Sequence, residues 1–188
     1  MANEIAYRND DDMEMGVVNS GHPLPVEVSG LSSTVLTTGI GMERIYVEIP
    51  GITVADAFDA NDTFGQLITF TGVARVNGGS GVITKAIFHD YDGEGINKTL
   101  YLFSRQVVIP VSDAAWTLAD SEMRYYIGKV SFTSWDDFGN NQASVVAPAL
   151  YYKCEPGSQN IYGAVQTAGV DNIATGSVPA IGLLVARD

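Results

Sequence analysis

The chain has 188 residues, 46% of them hydrophobic and 17% charged, which is enough for one domain with a real core and too apolar for wholesale disorder. Its net charge of −12, from 22 acidic and 10 basic residues, repels phosphate backbones and argues against direct nucleic-acid binding. The lone Cys154 allows no intrachain disulfide, and no run approaches the roughly twenty apolar residues of a membrane helix.

The N-terminus, MANEIAYRNDDDMEMG, has no apolar centre and carries acid where a secretion signal carries base. The expectation is synthesis and folding in a cytoplasm, with any exit by lysis or by a path that needs no signal. Residues 1–22 read as a flexible acidic arm. The block Asp10-Asp11-Asp12, with Glu14, suits a solvated segment or one that orders on a basic partner. Residues 23–43 read as an extended segment and linker, in which Pro23 and Pro25 hold the backbone extended before VEVSG.

Residues 44–188 read as a β-sandwich domain. Arg44 to Ile49 alternates with period two, placing Ile45, Val47 and Ile49 inward and Arg44, Tyr46 and Glu48 outward. Residues 54–64 form a polar loop. Three β-branched and aromatic runs follow, at about 65–76, 81–90 and 97–104, split by Asn77-Gly78-Gly79-Ser80-Gly81 and by YDGEGIN. Those turn signals predict three adjacent antiparallel strands at the centre of the sandwich. Their runs are apolar on both faces, which predicts cover on both sides. Substituting Asp for Phe70 or for Ile87 is expected to prevent folding, since a charge would be buried unpaired.

Beyond them, Ser112 to Met123 carries capping signals for one short helix or 3₁₀ turn near 117–123. Strands are expected at 125–134, 144–154, 160–167 and 178–186. No fixed-period repeat is visible. The fold class is therefore all-β, an antiparallel β-sandwich of jelly-roll-like character.

Signs of chemistry are sparse. His22 and His89 are the only histidines, and neither has a patterned partner for a nucleophile–base–acid set. Cys154 reads as a small buried residue. The glycine run at 77–81 joins strand to strand, so it presents no helix N-terminus to phosphate. No catalytic or cofactor-binding residue is expected, and the chain is not expected to be an enzyme. The best metal candidate is Asp90, Asp92 and Glu94, whose alternate carboxylates and glycines partly mimic a Ca²⁺ loop. The glutamate expected at the twelfth position is absent, since Tyr101 stands there. Asp56, Asp59, Asn61 and Asp62 form a second oxygen-rich run; solvated turns are the alternative for both. In the doublets Tyr125-Tyr126 and Tyr151-Tyr152 one ring of each pair must leave the core. Tyr126, Tyr151 and Trp135 are therefore candidate partner contacts, together with Asp10, Asp11, Asp12, Pro23 and Pro25.

Several segments together resemble a family of small all-β virion proteins of tailed bacteriophages. The residues that carry the resemblance are Pro25–Gly30, Asp62–Gly65, Phe70, Val73-Ala74-Arg75, Gly78–Ile83, Leu100–Phe103, Asp120 and Ile127–Val130. The likeness spans about residues 24–133. It implies a head decoration, or cement, protein that binds the major capsid protein on the capsid exterior. It further implies a homo-oligomer, trimeric or dimeric, made in the host cytoplasm and resident in the virion. Other readings are a tail or appendage component, or a Ca²⁺-supported carbohydrate-binding sandwich using Trp135 and the tyrosines.

Overall fold

A computed structural model describes residues 6–8, 15–17, 41–52, 57–174 and 176–188, in two compact units, Met1–Thr38 and Gly39–Asp188. In the first unit, β1 (Ala6–Arg8) pairs antiparallel with β2 (Met15–Val17), with Ala6 opposite Val17 and Arg8 opposite Met15. Residues 6–8 and 15–17 thus form a short two-stranded ladder.

The second unit is an antiparallel β-sandwich. Its strands are β3 (Gly41–Glu48), β4 (Ala57–Phe58), β5 (Thr63–Phe70), β6 (Ser80–Asp90), β7 (Lys98–Phe103), β8 (Tyr126–Phe132), β9 (Asp136–Asp137), β10 (Gln142–Val146), β11 (Leu150–Lys153), β12 (Ile161–Thr167), β13 (Asp171–Asn172) and β14 (Ala180–Arg187). One sheet runs β3-β14-β6-β10-β9, with β11 also pairing β6; the other runs β5-β12-β7-β8; β13 and β4 form a small ladder of their own.

The central prediction of three adjacent strands fails on this topology. β5 and β7 lie in the four-stranded sheet with β12 between them, and β6 lies in the other sheet. The glycine run at 77–81 is therefore a crossing between sheets rather than a hairpin. Its backbone bonds elsewhere: Gly78 N–H donates to Ser158 O at 2.8 Å, and Cys154 N–H donates to Gly79 O at 2.9 Å. The last strand, β14, fills the place in the larger sheet between β3 and β6.

The core lies between the sheets. Ile83, Ala86 and Phe88 of β6 and Ile181, Leu183 and Val185 of β14 meet Phe64, Ile68 and Phe70 of β5, Leu100 and Leu102 of β7, and Val130 and Phe132 of β8. Phe88 joins the layers through tilted ring contacts with Phe64 at 6.3 Å and Phe132 at 5.5 Å, arrangements that aromatic quadrupoles favour. Cys154 is buried in this core as expected for a small apolar residue, and burial pushes its thiol up to about 11.

Two irregularities shape these strands. In β6, Lys85 sits opposite Leu184 and Ile83 opposite Val185, so Thr84 is an extra residue. This bulge reverses the alternation: Ile83 is buried before it, and Ala86 and Phe88 after it. Ile87 consequently points to the outer face and is only half-buried, so a charge there is not forced into the core. In β5, Gly65 has φ +78°, and a Cβ on it would lie 2.5 Å from Ile49 Cγ2; the adjoining Gln66 N–H donates to Pro50 O at 2.7 Å. The strand ends at Phe70 rather than 76, because Gly72 turns the chain at φ +70°.

The strand expected at 144–154 is two, β10 and β11, broken at Ala147-Pro148-Ala149. Proline has no N–H for the ladder, and Ala149 takes φ +48°. The 3₁₀ turn falls at Met123–Tyr125, after the expected 117–123. Upstream of it the chain turns at Asp113, which takes φ +66°, and Trp116 and Leu118 pack against Phe103 and Ala164 on the outer face of the four-stranded sheet. Trp116 stacks on Tyr101 at 4.8 Å. The expected cover on both sides of β7 is thus the opposing sheet on one side and residues 104–125 on the other.

Candidate functional site

Two places hold side chains that could act on something else: a buried charge cluster at one end of the sandwich, and the outer face of the larger sheet.

The cluster grows from the loop after β6. Asp90 is buried, and its carboxylate is consumed by its own loop. Oδ1 accepts from the N–H groups of Asp92 at 3.2 Å and Gly93 at 3.3 Å, and Oδ2 accepts from Gly95 N–H at 2.9 Å. Glycines at φ +75° and +64° at positions 93 and 95 make that curl. Asp92 Oδ2 accepts from Ala174 N–H at 3.3 Å, and Glu94 Oε2 accepts from Asn172 N–H at 3.1 Å. Asp90 thus closes the loop on itself, while Asp92 and Glu94 tie it to the β13 segment through backbone amides. Among the described residues no group of three or more His, Cys, Asp or Glu side chains is arranged to hold a metal ion; the Asp90, Asp92 and Glu94 carboxylates accept from backbone N–H groups. The 59–62 run is likewise a turn: Asp62 Oδ2 accepts from Asp59 N–H at 3.0 Å, and Asn61 takes φ +72°.

Burial, then the neighbouring Asp90 carboxyl, push Asp92 up to about 7, and Asp92 Oδ1 is buried with no hydrogen-bond partner. Burial also pushes Asp90 upward, but the Asp92 side chain and the N–H groups of Gly95, Asp92 and Gly93 outweigh it and hold Asp90 below the usual range. The linkage follows. Stabilisation by Asp92 is complete below its ordinary value of 3.8 and is lost as pH rises through about 7. That of Asp90 is present above 3.8 and is lost as pH falls through its lowered folded value. Denaturation midpoints are therefore expected to be lower at about pH 8 than at about pH 5, and Asp92→Asn is expected to reduce that difference. An equal pH dependence in the two proteins would contradict the raised Asp92.

Beside this loop lies an ion pair that sequence reading missed. Lys98 Nζ is 2.5 Å from Asp171 Oδ2, with side chains only 3% and 4% exposed. Nζ also donates to Ile96 O at 3.0 Å and faces the Phe64 ring, 4.8 Å from its centroid. Burial holds the Lys98 ammonium below its ordinary value, although Asp171, Asp90 and Asp92 all pull upward. The clue was available: Lys98 shares strand parity with the core residues Leu100 and Leu102.

The second place is flat. On the outer face of the larger sheet, Met42, Ala186, Val82 and Tyr151 form one cross-strand row, and Tyr46, Gly182, Ile87 and Val145 form another. Met42, Tyr46, Val145 and Tyr151 are 53%, 45%, 47% and 63% exposed. Exposed Arg44, Lys85 and Lys153 stand among these strands with exposed Glu48 and Asp136, so charges of both signs rim this face. His89 lies at its end, its ring stacked on Tyr91 and tilted on Tyr46, whose hydroxyl is 2.8 Å from that of Tyr91. Burial, then Arg44, hold His89 below its ordinary value.

Of the remaining candidates, Tyr126 is exposed on the four-stranded sheet, tilted against Phe103 at 6.0 Å. Trp135 turns inward, edge-on to Phe88 at 5.7 Å, and packs against the main core. The doublet in β11 divides as alternation requires: Tyr152 is buried, its hydroxyl donating to Val73 O, while Tyr151 is exposed; Tyr125 belongs to the 3₁₀ turn. Asp10, Asp11, Asp12, His22, Pro23, Pro25 and Asp56 lie outside the described residues. No helix among the described residues is long and apolar enough to cross a membrane. No protein-family model matches the chain, and no curated protein matches it.

Proposed function

We propose that this chain is a virion structural protein: a decoration protein that binds the major capsid protein on the outer surface of a phage head, as a homo-oligomer, and stabilises the lattice. The observation that carries this reading is the outer face of the six-stranded sheet, where Met42, Tyr46, Val145 and Tyr151 stand exposed in register. A contiguous apolar face rimmed by charge is characteristic of interaction surfaces, and tyrosine and methionine are the residues such surfaces enrich. The resemblance across residues 24–133 supports the same reading.

The size of the face bears on how it would be used. Four strands about 4.8 Å apart and eight residues long present roughly 20 Å by 25 Å, or about 500 Å². A stable pairwise interface buries about 800 Å² per partner. One copy would bind weakly, and an oligomer would hold through several such contacts at once.

Purified protein is expected to co-sediment with empty heads at a copy number that scales with the capsid subunits. Val145→Asp and Tyr151→Asp are expected to abolish co-sedimentation while leaving the thermal melt unchanged, because both side chains face solvent. Undiminished binding by both variants would remove this face as the contact. A few copies per particle would instead assign the chain to a tail or appendage.

A further inference from the structure

We propose that Lys98 and Asp171 are the site of a self-catalysed isopeptide bond, an amide joining Lys98 Nζ to Asp171 Cγ and locking β7 to β13. The contact is 2.5 Å from nitrogen to oxygen with both side chains almost wholly out of water. Cγ is one bond beyond that oxygen, close to the roughly 3–3.5 Å of a near-attack arrangement. The Phe64 and Phe88 rings, with centroids 4.8 Å and 5.9 Å from Nζ, wall the nitrogen in. The two partners are held by different segments that cannot drift apart. Lys98 is anchored in the ladder with β12 and β8, and Asp171 in the ladder with β4, opposite buried Phe58.

The chemistry needs nothing from outside the pair. In a low-dielectric site an ion pair can exchange its charges for a neutral amine and a neutral acid by moving one proton along the contact. Burial already holds the Lys98 ammonium below its usual range. The Nζ lone pair then attacks Cγ. A C–N bond forms, the C–OH bond breaks, one Nζ proton passes to the departing hydroxyl, and water leaves. The product is an uncharged amide, so a costly buried charge pair is replaced by a group that the core accommodates more readily. Because the bond would make this end of the sandwich permanent, it is independent of the capsid reading and compatible with it.

Intact-mass measurement on the full chain, folded and then denatured, tests this directly. The expected mass is that of the sequence less one water, and proteolysis should release a branched peptide joining the Lys98 and Asp171 segments. Lys98→Arg, which keeps the positive charge but not the nucleophile, should show its full sequence mass. A full-mass wild type after prolonged incubation in the folded state would overturn the proposal. So would a lost water that maps to a cyclic imide at Asp92-Gly93 instead of to a branched peptide.

Discussion

Phe70→Asp is expected to yield no folded protein. Phe70 is fully buried in β5, in the core between the two sheets, and Gly163 lies against its ring: a Cβ there would be 2.7 Å from Phe70 Cε2. Removing such a ring costs about 3–5 kcal/mol from lost transfer energy and cavity formation. The carboxylate adds several kcal/mol of unpaired charge, unless it protonates. Together these approach or exceed the roughly 5–15 kcal/mol that holds a typical domain folded. Circular dichroism and a thermal melt decide it. A soluble variant that melts cooperatively would place Phe70 outside the core. Ile87→Asp, by contrast, is expected to fold, since the β6 bulge turns Ile87 to the outer face.

Asp171→Ala is expected to be the most damaging change to a charged residue. It strands the Lys98 ammonium among Phe64, Phe88 and the core, with only the Ile96 carbonyl as a hydrogen-bond acceptor. Breaking a buried pair from one side costs about 3–5 kcal/mol, whereas replacing both partners with apolar side chains is often neutral or stabilising. In protein whose pair is not yet joined by the amide, the double variant Lys98→Met/Asp171→Leu should therefore recover much of the loss, read as the denaturation midpoint at constant m-value. A single variant as stable as wild type would show that the lysine escapes to water. A double variant no better than the single would show that Asp171 matters for a reason other than charge.

Much of this architecture could be read from local pattern. Alternation in Arg44–Ile49 correctly set the inward and outward residues of β3, and the doublet Tyr151-Tyr152 splits across faces as the pleat demands, whereas Tyr125 falls in the 3₁₀ turn. Burial on both sides of β7 was visible in Leu100, Tyr101, Leu102 and Phe103. The candidate site was less legible. Carboxylates at 90, 92 and 94 resembled a cation loop because Asp and Gly also serve backbone turns, and the amides that occupy them come partly from Asn172 and Ala174, some eighty residues away in the chain. Trp135 beside two aspartates looked like an exposed ring until Phe88 was placed against it.

Strand type, core composition and the all-β class are written in short-range periodicity, because side-chain direction depends only on neighbouring residues. Pairing is different. Nothing near Gly81 states that β6 will lie beside β14 and β11, nor does anything near Asn97 announce an aspartate at 171 as the partner of Lys98. Those choices depend on which distant surfaces exclude the most water together, and a single bulged residue, Thr84, was enough to turn half a strand over. Tertiary packing fixed the buried ion pair between β7 and β13 and the exposed face on which the proposals rest.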